Sequence, residues 1–255
     1  MTIRHSRAHD YKHLIRRWRA AAQSRGAKLS AYTQADGHPL YYMETRKPDP
    51  AKPWIYLSAG IHGDEPASTE ACLEWFSVSR TAADDFNLMI FPCLNPWGLI
   101  NNLRTDAEGR DLNRTYHDDS VPQTAAHKAL LSNRRFDLAL ALHEDYDAHG
   151  VYLYEITGVK PYWGETLIAA AADHLPIDPR RTIEGRRSNG SGIVRRSITP
   201  DLMPLHPEAF RLFFHHTGRM LTLETPSEAH IDARVAAHVV MIEQAARLCL
   251  DQLHR

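Results

Sequence analysis

Four residues in the chain have types and positions suited to metal-assisted chemistry. His62 and Glu65 stand three residues apart in the stretch HGDE, directly after an apolar run. His143 follows the apolar run FDLALAL, and Glu224 ends the run RMLTLE. Two imidazoles and one carboxylate form the ligand set of a catalytic zinc site, with the fourth position left for water. A further carboxylate beside such a metal can act as a general base.

Each of these residues also has a simpler structural interpretation. A single histidine at the end of a strand can be a cap or a surface residue. Glu65 could favour the positive N-terminus of a helix that begins at Pro66. Glu224, which precedes Thr225 and Pro226, could belong to a turn. The chemical interpretation therefore depends on whether the fold brings the four side chains together.

The elements that would position them form an alternating pattern. We predict strands over residues 54–61, 86–94, 136–142 and 219–224, and helices over about 9–25, 66–79, about 122–134, about 162–175 and about 229–253. A β-hairpin around Asp36-Gly37 adds antiparallel strands. This order is typical of an α/β fold with a central mixed, mainly parallel sheet and helices on both faces. Ligands bind outside the carboxyl ends of parallel strands, so the candidate residues would meet at one sheet edge.

The polar stretch NPWGLINNLRTDAEGRDLNRTY, residues 95–116, adds further motifs. In combination they resemble the M14 metallocarboxypeptidase superfamily. HGDE resembles its His-x-x-Glu zinc motif, NPWG its Asn-Pro-x-Gly turn, and DLNRTY its Asp-Leu-Asn-Arg-x-Phe/Tyr element. LALHED resembles the strand with the second histidine ligand, and LTLETP the strand with the catalytic glutamate. The matches follow the family's order across residues 54–226.

The resemblance implies a role for each matched residue at the metal. His62, Glu65 and His143 would bind one Zn²⁺ ion. Glu224 would activate water and later donate a proton to the leaving amine. Arg104 would stabilise the oxyanion of a tetrahedral intermediate.

The resemblance also implies an anchor for a substrate carboxylate, formed by Asn113 and Arg114. A guanidinium group suits this role because it binds a carboxylate through two parallel charge-assisted hydrogen bonds, and Asn adds a neutral donor. The nearby carboxylates of Asp64, Glu144 and Asp145 could orient the histidines or support a second metal.

The chain departs from the family pattern in two places. Classical members have a tyrosine between the second histidine ligand and the catalytic glutamate, close to the latter, whereas here no tyrosine follows Tyr162. Tyr152, Tyr154 and Tyr162 lie too early to match it, and a replacement could come from the histidines His206, His215 and His216. Arg110 stands where the family has a small apolar residue, so it would add charge to the pocket or face solvent.

The segment RRTIEGRRSNGSGIVRR, residues 180–196, carries six arginines. It could be a mobile basic lid over an anionic substrate, or an ordinary solvated loop. It contains no aromatic residue on which nucleic acid bases could stack.

Composition limits the class of protein. The 255 residues fit one zinc-hydrolase domain over 1–255, and the formal net charge of -1 gives no basis for binding nucleic acid or an anionic membrane. Three scattered cysteines argue against a disulfide framework. No secretory signal or apolar run of about 18 residues is present, so a cytoplasmic location is expected. The oligomeric state is left open.

Three functions remain open at this stage. The first is a metallocarboxypeptidase that removes a C-terminal residue from a small peptide, such as a cell-wall peptide. The second is an N-acyl amino acid deacylase similar to succinylglutamate desuccinylase and aspartoacylase, although those enzymes usually carry an additional C-terminal domain. The third is a non-catalytic protein that binds metal or acidic ligands, which would have no need for a general base at Glu224.

Overall fold

The computed structural model describes residues 5–79, 85–188, 190–195, 198–199 and 207–253. Its strands are β1 (Lys28–Ala35), β2 (His38–Glu44), β3 (Trp54–Ser58), β4 (Asn87–Phe91), β5 (Leu138–Asp145), β6 (Tyr152–Thr157), β7 (Thr182–Ile183), β8 (Arg186–Arg187), β9 (Ile193–Arg195) and β10 (Arg219–Pro226). Its α-helices are α1 (Tyr11–Ser24), α2 (Pro66–Val78), α3 (Pro96–Asn101), α4 (Pro122–Leu131), α5 (Gly164–Ala171), α6 (Glu208–His215) and α7 (Ile231–Leu253), with a 3-10 helix at Leu112–Arg114.

Eight of the strands form one mixed sheet in the order β1-β2-β4-β3-β5-β10-β6-β9. The central strands β4, β3, β5 and β10 are parallel to one another, and β1, β2 and β6 run antiparallel to their neighbours in this group or to each other. The register places Glu224 of β10 beside His143 of β5 on one side and Tyr152 of β6 on the other. The predicted α/β fold with a mainly parallel central sheet is confirmed.

Apolar side chains alternate between the two faces of the sheet, and each face carries helices. On β3, Ile55 and Leu57 pack in a core shared with α1, α2, α5 and α7, whereas Tyr56 faces a second core with residues of α4 and α6. Because successive side chains of a strand point to opposite faces, a strand covered on both sides must be apolar throughout. This explains the continuous apolar runs of the sequence.

The strands that hold the site differ slightly from those predicted. β3 ends at Ser58 because Gly60 adopts a left-handed conformation (φ 64°) that turns the chain out of the sheet. β5 extends to Asp145 because β10 pairs with it as far as Pro226. Two stretches for which the sequence pattern predicts no helix or strand contain structure: 95–121 contains α3 and the 3-10 helix, and the described part of 176–218 contains β7, β8, β9 and α6.

Within the described part of the chain, no helix has the length and apolar character that crossing a membrane requires.

Glu144 ties together three of the elements around the candidate site. Its Oε1 accepts hydrogen bonds from the backbone amides of Ala67 (2.6 Å) and Ser68 (3.3 Å) at the start of α2. Its Oε2 pairs with Arg234 of α7. The side chains of Glu144 and Arg234 are only 0% and 11% exposed, so this ion pair is buried.

Replacing Glu144 with alanine should lower the free energy of unfolding by about 3–5 kcal/mol, since the Arg234 guanidinium would stay buried without its partner. Urea denaturation followed by circular dichroism measures this change. Arg247→Ala is the control, because Arg247 pairs with Glu243 on the exposed side of the same helix. Such a surface pair contributes less than about 1 kcal/mol. An equal loss in both variants would contradict the assigned role of Glu144.

Candidate metal centre and active site

Three buried side chains converge where the chain leaves β3 and where β5 ends: His62, Glu65 and His143. One potential ligand atom from each lies within 4.8 Å of the other two. His62 Nδ1 is 2.5 Å from Glu65 Oε1, and His143 Nδ1 is 3.1 Å from Glu65 Oε2. Among the described residues this is the one group of three or more His, Cys, Asp or Glu side chains close enough to hold a metal ion.

The polar atoms of this group fit a divalent cation. Glu65 Oε2 is buried and is not paired by a hydrogen bond from the described residues, although His143 Nδ1 lies 3.1 Å from it. Burial raises the pKa of Glu65, but the two imidazoles outweigh it and lower the pKa to about 2. Burial likewise lowers the pKa of His62, yet Glu65 and Asp111 raise it to about 9. An ionised, incompletely paired buried carboxylate is costly, and a shared cation would compensate it.

The simpler interpretation of Glu65 as a helix-terminus residue does not describe its side chain. Glu65 occupies the N-cap position of α2 but makes no capping hydrogen bond. Glu144 accepts the hydrogen bonds of the first amides of α2 instead. The Glu65 carboxylate is therefore free to face the two imidazoles.

Glycine is required where the HGDE loop meets the NPWG turn. A Cβ atom on Gly63 would lie 1.9 Å from the carbonyl carbon of Gly98, so only glycine permits this approach. Asn95 fixes the turn, since its Oδ1 accepts from Gly98 N (2.9 Å) and its Nδ2 donates to Thr105 O (3.0 Å). The NPWG motif thus positions both the loop with His62 and the segment with Arg104.

Asp111 is a residue of the site that the sequence interpretation did not assign. Its Oδ1 lies 3.2 Å from His62 Nε2 and also accepts from Asn113 N, while its Oδ2 accepts from Arg104 Nε (3.1 Å). Asp111 therefore orients His62 through the ring nitrogen that does not face Glu65. Its position before the 3-10 helix is a recognisable capping signal, but the contact across 49 residues is not visible in the sequence.

Two of the three carboxylates suggested for orienting the histidines have other partners. Glu144 binds α2 and Arg234, as described above. Asp145 Oδ2 accepts from Tyr152 OH (3.0 Å) and from Arg180 Nη2 (3.1 Å). Asp64 lines the cavity beside the group.

A cavity of about 510 Å³ is lined by the three candidate metal ligands, His62, Glu65 and His143. Glu224 lines it and is only 8% exposed. Burial raises the pKa of Glu224 well above its usual range, and nearby carboxylates add to the effect against the opposing influence of His143. Arg104, Asn113 and Arg114 line the same cavity. The fold therefore brings all seven candidate residues of the sequence analysis to one place.

Two of the cavity residues are held in defined orientations. Arg104 Nη1 lies 3.9 Å from Glu65 Oε1, and its other contacts are with Asp111. Asn113 Oδ1 accepts from the backbone amide of Glu208 (2.9 Å), which leaves its Nδ2 group as a donor. Arg110, by contrast, points away from the cavity and pairs with Asp106 and Glu108.

Of the three tyrosines set aside in the sequence analysis, Tyr152 and Tyr154 lie in the cavity, and Tyr162 is not among its lining residues. Tyr152 and Tyr154 line it because β6 runs antiparallel to β10, which places Tyr152 opposite Glu224 and Tyr154 opposite Thr222. His215 and His216 are not among the lining residues. His216 is buried beside Arg134 O instead, and His206 lies outside the described residues.

Of two comparisons with known protein sequences, one finds a match. A sequence model of the succinylglutamate desuccinylase/aspartoacylase catalytic domain matches residues 51–155. A search of curated proteins gives no significant sequence match.

Three solved structures illustrate how widely the fold is shared. A candidate metallopeptidase from Shewanella amazonensis is 20% identical, with 94% of each chain covered and a TM-score of 0.84. A metallo-carboxypeptidase from Burkholderia cenocepacia is 18% identical over 95% of this chain and 69% of that one (TM-score 0.71). A metallo-carboxypeptidase from Pseudomonas aeruginosa, in complex with (2-guanidinoethylmercapto)succinic acid, is 17% identical over 94% and 69% (TM-score 0.61).

The family model covers less than half of the chain, and the solved structures show that the chain shares the carboxypeptidase fold.

Proposed function

We propose that the chain is a single-domain, zinc-dependent hydrolase that cleaves an amide bond adjacent to a terminal carboxylate, acting as a metallocarboxypeptidase on small peptides. The observation that carries this proposal is the shared cavity: the three metal donors, the buried carboxylate of Glu224 and the guanidinium groups of Arg104 and Arg114 all face it. A metal centre, a base and a carboxylate anchor are the parts that such a hydrolase needs.

His62, Glu65 and His143 would hold the zinc ion, which when bound supplies a Lewis acid and lowers the pKa of water. Glu224 would accept the proton of the attacking water and pass it to the leaving amine. Its burial suits this transfer, because a carboxylate with a raised pKa can hold a proton near neutral pH.

Three residues would place the substrate. Arg114 and the Nδ2 group of Asn113 would bind the terminal carboxylate. Arg104, kept in position by Asp111, would face the carbonyl oxygen as negative charge develops on it.

The second candidate is an N-acyl amino acid deacylase. The observation that favours it is the family match over residues 51–155, which concerns a desuccinylase and aspartoacylase domain. The succinic acid derivative bound by the Pseudomonas aeruginosa relative is consistent with a carboxylate anchor, which both reactions require.

A product assay separates the two reactions. Zinc-loaded protein is offered peptides with a free C-terminus and N-acyl amino acids together, and the products are identified by mass spectrometry. We expect loss of one C-terminal residue from the peptides. Release of the acyl group with the peptides intact would establish the deacylase instead.

Glu224→Gln should lower kcat by about 10²–10⁴-fold, because the amide cannot accept the proton of water. Metal content, measured by mass spectrometry, should not change, since Glu224 is not one of the three donors. Glu228→Gln is a matched control at an exposed position four residues further along. Undiminished turnover in the Glu224 variant would remove this residue from the mechanism.

Asp111→Asn should weaken zinc binding by about 10–100-fold, because His62 would lose the carboxylate that orients its ring. Competition with a chromogenic chelator measures the affinity. Asp119→Asn, at a side chain that is 90% exposed, is the control. Equal zinc affinity in the two variants would show that His62 does not depend on Asp111.

A further inference from the structure

The proposed carboxylate anchor, Asn113 and Arg114, is supported from the core by hydrogen bonds. Asn113 Oδ1 accepts from the backbone amide of Glu208 (2.9 Å) at the start of α6. The side chain of Glu208 is buried, and its Oε1 accepts a hydrogen bond from Tyr56 OH on β3. A first line of support therefore leads from Asn113 through Glu208 to a central strand of the sheet.

A second line of support leads from the other end of the same segment to the same hydroxyl group. Tyr116 follows Arg114 by two residues, and its OH lies 2.7 Å from Nδ1 of His127 on α4. The other ring nitrogen of His127, Nε2, lies 3.0 Å from Tyr56 OH. Residues 113–116 are thus held at both ends, and the two lines meet at the hydroxyl of Tyr56.

The hydrogen bonds that meet at Tyr56 have a defined direction. Burial lowers the pKa of His127 to about 3, so its ring is neutral and donates through only one nitrogen. Since Tyr56 OH donates to Glu208, its oxygen accepts from His127 Nε2, and His127 Nδ1 accepts from Tyr116 OH. The hydroxyl of Tyr56 is therefore both a donor and an acceptor in this chain.

These four side chains support the site without reaching a substrate. Glu208, Tyr56, His127 and Tyr116 are all buried, and none of them is among the described residues that line the cavity. Burying polar groups is costly unless they are hydrogen-bonded, and a connected buried network favours one arrangement of its members. Such a network directly behind the anchor can act on the reaction only through Asn113 and Arg114.

We infer that Tyr56 is a positioning residue for recognition of the terminal carboxylate. Its hydroxyl, through Glu208 on one side and His127 on the other, fixes the orientation of Asn113 and the course of the chain at Arg114. This inference rests on the proposed function, since it assumes that these two residues bind the carboxylate, which both candidate reactions require.

A positioning role and a merely structural role have different kinetic signatures. The anchor would bind the carboxylate in the ground state and in the transition state alike, so disturbing it raises KM and leaves kcat almost unchanged. A variant that only lowers the fraction of folded protein does the reverse: the apparent kcat falls and KM stays the same.

The experiment measures kcat and KM of the zinc-loaded protein for the substrate that the product assay identifies. We expect Tyr56→Phe, which removes only the hydroxyl, to raise KM by about 10-fold. Tyr32→Phe is the matched control. Tyr32 packs on the same Phe91 ring as Tyr56, and its buried hydroxyl has no hydrogen-bond partner among the described residues. This control should leave KM unchanged.

Variants of Glu208 test the first line of support from its other end. Glu208→Ala removes the acceptor of Tyr56 and should raise KM, whereas Glu208→Gln retains an acceptor oxygen and should restore a KM close to that of the unchanged protein. If Glu208 acts through Asn113, then Glu208→Ala should have little further effect on KM in protein that already carries Asn113→Ala.

Two results would overturn the inference while leaving the hydrolase proposal intact. One is a lower kcat at unchanged KM in both Tyr56→Phe and Glu208→Ala, and the other is full additivity of Glu208→Ala with Asn113→Ala. Circular dichroism establishes that each variant is folded.

If neither a peptide nor an N-acyl amino acid is cleaved, the proposed function itself fails. Calorimetric titration with N-acetyl-phenylalanine and its amide then decides the recognition step. A preference for the acid that falls in Tyr56→Phe and persists in Tyr32→Phe supports the role of Tyr56. An equal preference in the two variants, or no preference for the acid in the unchanged protein, rejects it.

Discussion

The site depends on keeping one carboxylate, that of Glu65, ionised and almost fully buried between two imidazoles. A buried charge is tolerated only when it is closely compensated. The two imidazoles supply this compensation, and the surroundings keep the three side chains together. Glu144 takes over the capping of α2, so Glu65 does not have to serve the helix amides. Asp111 holds His62 from the far side. The HGDE motif is therefore only one part of the site, and Glu144 and Asp111 are needed to hold its side chains in place.

The parallel strands turn this local arrangement into an active-site geometry. Adjacent strands lie about 4.8 Å apart, so the register that sets Glu224 beside His143 fixes the proposed base next to the candidate metal donors with little freedom. The residues proposed to contact substrate come from other kinds of elements, namely the segment after α3 for Arg104 and the 3-10 helix for Asn113 and Arg114. Strands thus carry His143 and Glu224, whereas connecting segments carry His62, Glu65 and the residues proposed to bind substrate. Sites built from loops on a rigid scaffold are common.

The features that could be predicted from the sequence are those that depend on short-range residue patterns. The four central strands are recognisable in the sequence as apolar runs. His62, His143 and Glu224 could be identified as candidates because they stand where three of those runs end. The sequence-based prediction failed for features that depend on pairing between segments distant in the chain. The sequence analysis did not predict β6, although the aromatic and β-branched residues of YLYEIT favour a strand. The antiparallel partner of β6 is β10, which lies more than 60 residues further along the chain. The contact of Asp111 with His62 and that of Glu184 with Tyr154 likewise require distant segments to meet.

The same limit explains why the sequence analysis does not place Tyr152 and Tyr154 near Glu224. Counting along the chain suggested that the cavity had no tyrosine near Glu224, because none follows Tyr162. Antiparallel pairing reverses the direction of β6, so Tyr152 is distant from Glu224 in sequence but adjacent in the sheet. Both phenols are fixed by carboxylates, Tyr152 by Asp145 and Tyr154 by Glu184. Phenols carried by a strand and anchored at the hydroxyl have little freedom to swing over a substrate. This wall of the cavity is consequently preorganised, and the ordering of these groups has been completed by folding before a substrate binds.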